Sequence, residues 1–404
     1  MKDPSRVRVT GPLAPFTSGF CAELAGRGYA GASAARHLQL MACLSRWMAA
    51  ERIAASELTP ERVALFVAYR RAAGHRHMRT ARALMALLGY LRSLDVVPEQ
   101  SAAKPDTSVD LLVESYRAYL LGERGLAAGT VSYYERVARL FLAEIASPDG
   151  ELELERLSAA EVGRFVLEQC AARSVGSAKN VVMALRSLLR FLYLEGLTVG
   201  DLAGAVPPVA PQPRSLPRAL DPRVVARLLD SCDRRTRTWK RDFAVLMVLA
   251  RLGLRAGEVA AIELSDIDWV AGELLVRGKA ARRERLPLPI DVGRALARYV
   301  QRGRPRVSCE RLFLRVNAPI GGLSGDGVSR VVHAACRRCR VPLVGAHRLR
   351  HTAATETLRA GASLEEIGQL LRQQSTFTTA IYARVDRAAL RELARPWPAG
   401  GATA

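Results

Sequence analysis

Near the N-terminus, apolar residues recur every three or four positions in Ser33 to Ala50, Thr59 to Arg71 and Arg79 to Leu94, with few breakers between them. That period predicts amphipathic helices, set within a helical block from about Phe16 to Val97. A polar stretch from Pro98 to Ser108 reads as a linker. A second helical block runs from about Val109 to Leu197, and Pro207, Pro208, Pro211, Pro213 and Pro217 then make a stiff, extended connector. Beyond it the pattern changes. Trp239 to Leu252 keeps the helical period, whereas Gly272 to Lys279 and Glu284 to Pro289 read as two short strands joined by a basic turn. Helices resume from Ile290. The expected organisation is an N-terminal helical domain over 1–105, a second helical domain over 106–200, a Pro-rich linker over 201–217 and a mixed domain over 218–398. The fold is expected to be mainly α with a small antiparallel β-sheet.

The two helical blocks resemble one another. Leu58-Thr59-Pro60-Glu61-Arg62-Val63-Ala64-Leu65-Phe66-Val67 parallels Leu157-Ser158-Ala159-Ala160-Glu161-Val162-Gly163-Arg164-Phe165-Val166, with a hydroxyl residue at each predicted N-cap. Leu87 to Leu91 parallels Leu188 to Leu192 at nearly the same offset. Duplication of one domain explains the match; so does the shared apolar phase of any two amphipathic helices.

Composition narrows the choice of partner. At 404 residues the chain fits two or three domains, each able to bury its own core. A formal charge of +21 works against compaction unless a polyanion offsets it, which points to nucleic acid or an anionic membrane. No apolar run is long enough to span a bilayer: the best, Phe243 to Ala250, is followed by Arg251. The first residues have no apolar stretch of signal-peptide type behind them, so a soluble, cytoplasmic, nucleoid-associated protein is expected, with no membrane partner. Seven scattered cysteines fit reduced thiols better than a disulfide framework. Cys336 and Cys339, with His333 upstream, have metal-like spacing, but a structural zinc needs four ligands and no second pair stands nearby; two small thiols on a helix face are the expectation.

Phosphoryl transfer to a hydroxyl needs an in-line nucleophile, donors for charge on the phosphorane oxygens and a proton for the leaving oxygen. The last third of the chain offers a group for each. Arginine donates two parallel hydrogen bonds to phosphate and stays charged; Arg255 and Arg350 are the candidates. Arg255 directly follows the mostly apolar run Phe243 to Leu254, and the alternative reading pairs it with Glu258 three residues on. Only five of the 60 basic residues are lysines, so Lys279, in the basic turn, points to a need for an amine able to release a proton; an ordinary turn lysine is the other reading. His347 and Arg350, three apart on a predicted helix, share one face. His347 can donate a hydrogen bond or act as base toward a hydroxyl, and His351 is expected to be a buried packing residue. Tyr382 is the candidate nucleophile, its anion favoured by neighbouring cations.

Taken together, Arg255 in Leu252 to Val259, His347 and Arg350 in Ala346-His347-Arg348-Leu349-Arg350-His351-Thr352, and Tyr382 in Thr378-Thr379-Ala380-Ile381-Tyr382-Ala383-Arg384-Val385 resemble the tyrosine recombinase (phage integrase) family. Gly125 to Leu142 is similar to the first helices of the family's SAM-like core-binding domain. The resemblance implies an enzyme that cleaves and rejoins DNA strands through a 3′-phosphotyrosyl intermediate at Tyr382, with Lys279 as general acid toward the leaving 5′ oxygen. It implies a core-binding and a catalytic domain closing around double-stranded DNA, and a homotetramer on two recombination sites with the segment from Asp386 packing on a neighbour. Accessory proteins or other recombinases would be further partners. No cofactor, ATP or metal is called for. Gln373 stands where the family usually carries a histidine; an amide still donates to a phosphate oxygen but carries neither charge nor proton. Integration or excision of a mobile element is the expected biology. A relaxing, type IB topoisomerase-like enzyme and a non-catalytic DNA-binding protein of the same fold are the alternatives.

Overall fold

The computed structural model of the protein describes residues 4–78, 80–97, 107–147, 149–210, 219–233, 235–278 and 283–373. Most of the polar connector, and residues 211–217 of the proline-rich one, therefore lie outside the described residues. The chain divides into two compact units, one formed by Met1–Pro98 together with Ser215–Ala404, the other by Glu99–Arg214.

In the first unit the N-terminal part holds α1 (Thr17–Gly26), α2 (Gly31–Ala50), α3 (Pro60–Ala72) and α4 (Ala81–Arg92). Three of these are the helices read from periodicity, and α1 is an addition. Thr59 caps α3, its hydroxyl accepting from the Arg62 N–H at 3.4 Å, and Pro60 sits at a position whose missing N–H costs no helical bond. The apolar faces close on Phe20, Leu38, Met41, Leu44, Phe66 and Leu88. Each such side chain removed from water contributes about 1.5–3 kcal/mol.

The second unit comprises α5 (Ser108–Gly122), α6 (Ala128–Ile145), α7 (Ala159–Ala171) and α8 (Val175–Leu194). Ser158 caps α7 in a reciprocal box with Glu161. Tyr116, Phe141, Phe165 and Phe191 fill its core. The buried positions of α3 (Val63, Phe66, Val67) and α7 (Val162, Phe165, Val166) recur in the same order, as do those of α4 (Leu84, Leu87, Leu88, Leu91) and α8 (Leu185, Leu188, Leu189, Leu192).

The C-terminal part, again in the first unit, runs α9 (Pro222–Asp230), α10 (Arg237–Leu252), α11 (Ala256–Ala261), β1 (Ile267–Asp268), β2 (Glu273–Arg277), β3 (Arg283–Pro287), α12 (Ile290–Arg302), α13 (Gly325–Cys339), α14 (Ala346–Arg359) and α15 (Leu364–Leu371). The strands form one antiparallel meander, β1-β2-β3, with Leu274 opposite Leu286 and Arg277 opposite Arg283. Leu274 and Val276 point into the core and their neighbours outward, the two-residue alternation of a half-buried strand. Helix α10 is buried nearly all round from Ala244 to Leu249 and packs on α12 and α14. Cys336 is buried, whereas Cys339 is half-buried and its thiol donates to the Arg227 carbonyl at 3.1 Å; only one of the two thiols is a core residue.

The N-terminal part is fastened to the C-terminal part at Ile320. Its N–H donates to the Arg27 carbonyl at 2.9 Å, and its side chain lies over Gly28, where a Cβ would come within 2.4 Å of Ile320 Cδ1. Gly28 also has a φ of +76°, which disfavours any side chain. Gly28→Val is therefore expected to loosen this attachment, read as faster limited proteolysis between the two parts; proteolysis at the wild-type rate would show that the contact contributes nothing.

Candidate active site

Arg255, His347, Arg350 and Gln373 come from three places: the turn between α10 and α11, the first turns of α14, and the residues after α15. Helix α10 ends with the helical period at Leu252, although the apolar run continues to Leu254, and does not reach Arg255. It stops at Leu252 because Gly253 turns left-handed, at φ +58°, the common helix C-terminus. Arg255 instead opens α11 as its N-cap residue.

Glu258 organises the cluster. Its side chain is 6% exposed, and it accepts from the Arg255 N–H at 2.8 Å and from Arg255 Nη1 at 2.7 Å. It also accepts from Arg372 Nη2 at 2.8 Å, with Arg350 Nη1 at 4.0 Å. Burial alone would raise the carboxyl pKa; the Arg255 N–H and the guanidinium groups of Arg372 and Arg255 outweigh it and hold the acid below its usual range. The Arg255–Glu258 pair weighed as an alternative to catalysis is thus present, and it anchors a guanidinium that is still 46% exposed. Three guanidinium groups against one carboxylate leave a surplus of two positive charges, suited to an anion such as a phosphodiester.

Arg350 is 1% exposed. Its Nη1 donates to the Gly253 carbonyl at 2.6 Å and its Nη2 to the Leu371 carbonyl. It thereby ties the end of α10 to the end of α15. Leu371 is followed by Arg372, left-handed at φ +51° and held by Glu258, and then by half-buried Gln373, whose N–H donates to the Gly368 carbonyl at 3.0 Å. The segment starting here leads to Tyr382, nine residues beyond Gln373. Tyr382 itself, and Lys279, lie outside the described residues. The base of the hairpin that carries position 279 is fixed: Arg277 bonds Asp266 at 2.8 Å and Glu263 at 2.7 Å.

His347 lies in the first turn of α14, which contains no acid, and its ring meets His351 edge-on with centroids 4.4 Å apart. Partial burial, then the charges of Arg350 and Arg255, lower the His347 pKa, leaving the imidazole neutral near pH 7 and able to accept a proton. His351 is not the buried packing residue expected; it is half-buried beside His347. Burial, then His347, Arg350 and Arg348, bring its pKa down to about 4. The unfolded chain therefore takes up this proton before the folded one, so stability is full above about pH 6.5 and declines as pH falls toward about 4. His351→Gln should flatten melting temperature against pH across that window; an unchanged profile would refute the assignment.

Sequence reasoning missed Arg372 altogether. A charged residue after Leu370-Leu371 carries no periodic signal, and only its left-handed backbone and buried guanidinium, 4% exposed, mark it.

A mainly helical chain with a small meander and an arginine cluster around a buried glutamate defines a class, and comparison with known proteins gives its family: the chain belongs to the phage integrase family, the tyrosine-type site-specific DNA recombinases. Residues 218–389 match the Phage integrase family model and residues 113–196 the Phage integrase, N-terminal SAM-like domain model. The putative integrase/recombinase y4rA of Sinorhizobium fredii is 41% identical over 393 residues, covering 96% of this chain and 95% of that protein. Tyrosine recombinase XerD of Mycobacterium tuberculosis is 33% identical, covering 70% of this chain and 96% of XerD. Among solved structures, XerH site-specific recombinase bound to palindromic difH substrate aligns with a TM-score of 0.58 at 16% identity, over 73% of this chain and 98% of that one. A lambda integrase dimer bound to a COC′ core site aligns with a TM-score of 0.53 at 19% identity, over 75% and 87%. At such identities these two share the fold. Among the described residues no helix is long and apolar enough to cross a membrane.

Proposed function

We propose that the protein is a recombinase of double-stranded DNA that works through a covalent 3′-phosphotyrosyl intermediate and serves integration or excision of a mobile element. The observation that carries this reading is the gathering of Arg255, Arg350 and Arg372 on Glu258 beside His347, at the root of the segment leading to Tyr382. The Tyr382 oxygen attacks the scissile phosphorus and gives its proton to His347. The bond from phosphorus to the 5′ oxygen breaks, and Lys279 protonates that oxygen. Arg255 and Arg350 hold the phosphorane charge, with Gln373 donating a neutral hydrogen bond. A 5′ hydroxyl from a partner strand then attacks the ester and the proton transfers reverse, so the bond energy is conserved and no ATP is consumed.

Residues 106–200 act as the core-binding domain and 218–398 as the catalytic domain, with the linker over 201–217 between them; 1–105 form an additional helical domain related to the core-binding one by duplication. The active assembly is a homotetramer on two sites, exchanging its segments from Asp386; the binding of XerH to its difH substrate and of a lambda integrase dimer to its core site supports a DNA partner and at least a dimer. Coverage of 96% of the chain by the integrase/recombinase y4rA, against 70% by XerD, favours mobile-element biology over a resolvase that works without the first block.

The test is trapping on a nicked suicide duplex made from the element's own ends, followed by peptide mapping of any adduct. A 3′-linked nucleotide on the peptide containing Tyr382 is expected. No adduct despite DNA binding would leave a non-catalytic binder, and an adduct that religates only its own strand would leave a relaxing enzyme.

A further inference from the structure

The first helical block holds a cavity of about 830 Å³, lined from the segment before α1, from α2, from the end of α3 and from the turn after it. Arg8, Arg36, Arg46 and Arg70 line it with His75 and His77, and among the described residues no acidic one does. Elsewhere in the block Arg27 pairs with Glu23 and Arg62 with Glu57; among the described residues no such ion pair is formed by the arginines of the cavity.

Arg70 supplies an independent sign that an anion belongs here. It is 7% exposed. One end of its guanidinium, Nη2, donates to the His77 carbonyl at 3.2 Å, and the group lies 5.9 Å from the centroid of the Phe66 ring. Its Nε is buried with no hydrogen-bond partner among the described residues. Burying a charged donor without a counter-charge is costly, and a bound anion would remove that cost.

We propose that this cavity is a second phosphate-backbone site, through which the first block grips duplex DNA away from the active site. Three of its four arginines, Arg8, Arg36 and Arg46, are exposed at the surface, a spread that suits several phosphates of a polymer better than one small anion. The planar guanidinium fork matches phosphate oxygens in pairs. Since the block is fastened to the C-terminal part at Ile320, phosphates held here would add to those held at the active site as a multivalent contact. The choice of DNA as the source of phosphate rests on the recombinase reading.

The test measures affinity of the full chain for a duplex of arbitrary sequence against salt concentration, for wild type and for Arg8→Gln/Arg36→Gln/Arg46→Gln. The side chains exchanged are exposed, and a thermal melt checks that the variant folds. Loss of these contacts should make the slope of log K against log salt shallower by about 2 to 3, at about 0.9 per phosphate released. An unchanged slope overturns the proposal. On unmodified protein, the duplex should protect Arg36 and Arg46 from phenylglyoxal; protection by inorganic phosphate with none by the duplex also overturns it. Neither measurement involves strand cleavage, so failure to trap an adduct would defeat the recombinase reading and leave this site standing.

Discussion

Replacing Glu258 by glutamine is expected to destabilise the protein by about 3–5 kcal/mol, because it removes the negative partner of a buried ion-pair cluster and leaves guanidinium groups uncompensated. The side chains of Arg350 and Arg372 are 1% and 4% exposed, so water cannot take over from the carboxylate. The isosteric amide keeps an oxygen for the Arg255 N–H, and the loss therefore isolates charge rather than shape. The same substitution frees Arg255 from its anchor, and adduct formation on a suicide duplex should fall by about 10²–10³-fold, the usual cost of misplacing one donor to a developing oxyanion. Because the Glu258 pKa is depressed, its contribution is present above the ordinary carboxylate pKa and is lost as pH falls through the folded value; the gap between wild type and Glu258→Gln should close in acid. Adding Arg372→Gln to Glu258→Gln should cost less than the sum of the two single changes, since the pair is in contact. A denaturant midpoint that barely moves, or strictly additive costs, would show that Glu258 does not hold the cluster.

What the sequence revealed and what it concealed divide along the range of the interactions. Helix α10 and the β2–β3 hairpin follow from short apolar periods, and Thr59 and Ser158 mark helix starts through bonds only three residues long. Strand β1 has two residues, too few to display any alternation. Arg255 could be placed beyond α10, whose end at Leu252 the helical period marks, but not at the N-cap of α11, a helix of six residues too short to show a period. Glu258 looked local, a partner three residues from Arg255, while half of its work is done on Arg350 and Arg372, 92 and 114 residues away. No spacing rule reaches that far. His351 shows the limit in another way, since a four-residue step from His347 predicts a shared face and does not say whether that face is covered.

Arg350→Lys should reduce adduct formation by about 10³-fold while changing affinity for duplex DNA by less than about tenfold, since charge is retained and geometry is lost. The guanidinium spans two carbonyls that lie on different elements, Gly253 at the end of α10 and Leu371 at the end of α15. A single ammonium cannot occupy both positions, and a buried carbonyl left without its donor costs about 1–3 kcal/mol. Neither end can shift to compensate. A Cβ at Gly253 would already lie 3.0 Å from Leu371 Cδ2 and 3.5 Å from Ala353 Cβ, so the turn is packed closely against both helices. With Leu371 released, the backbone that leads through Arg372 and Gln373 toward Tyr382 loses its fixed origin, and the proposed nucleophile would lose its line of attack even where the phosphate is still bound. The split between cleavage and binding is the decisive reading. Equal losses in both would make Arg350 a phosphate-binding residue alone, and cleavage within about tenfold of wild type would remove it from the active site, given the far larger cost expected for a displaced donor.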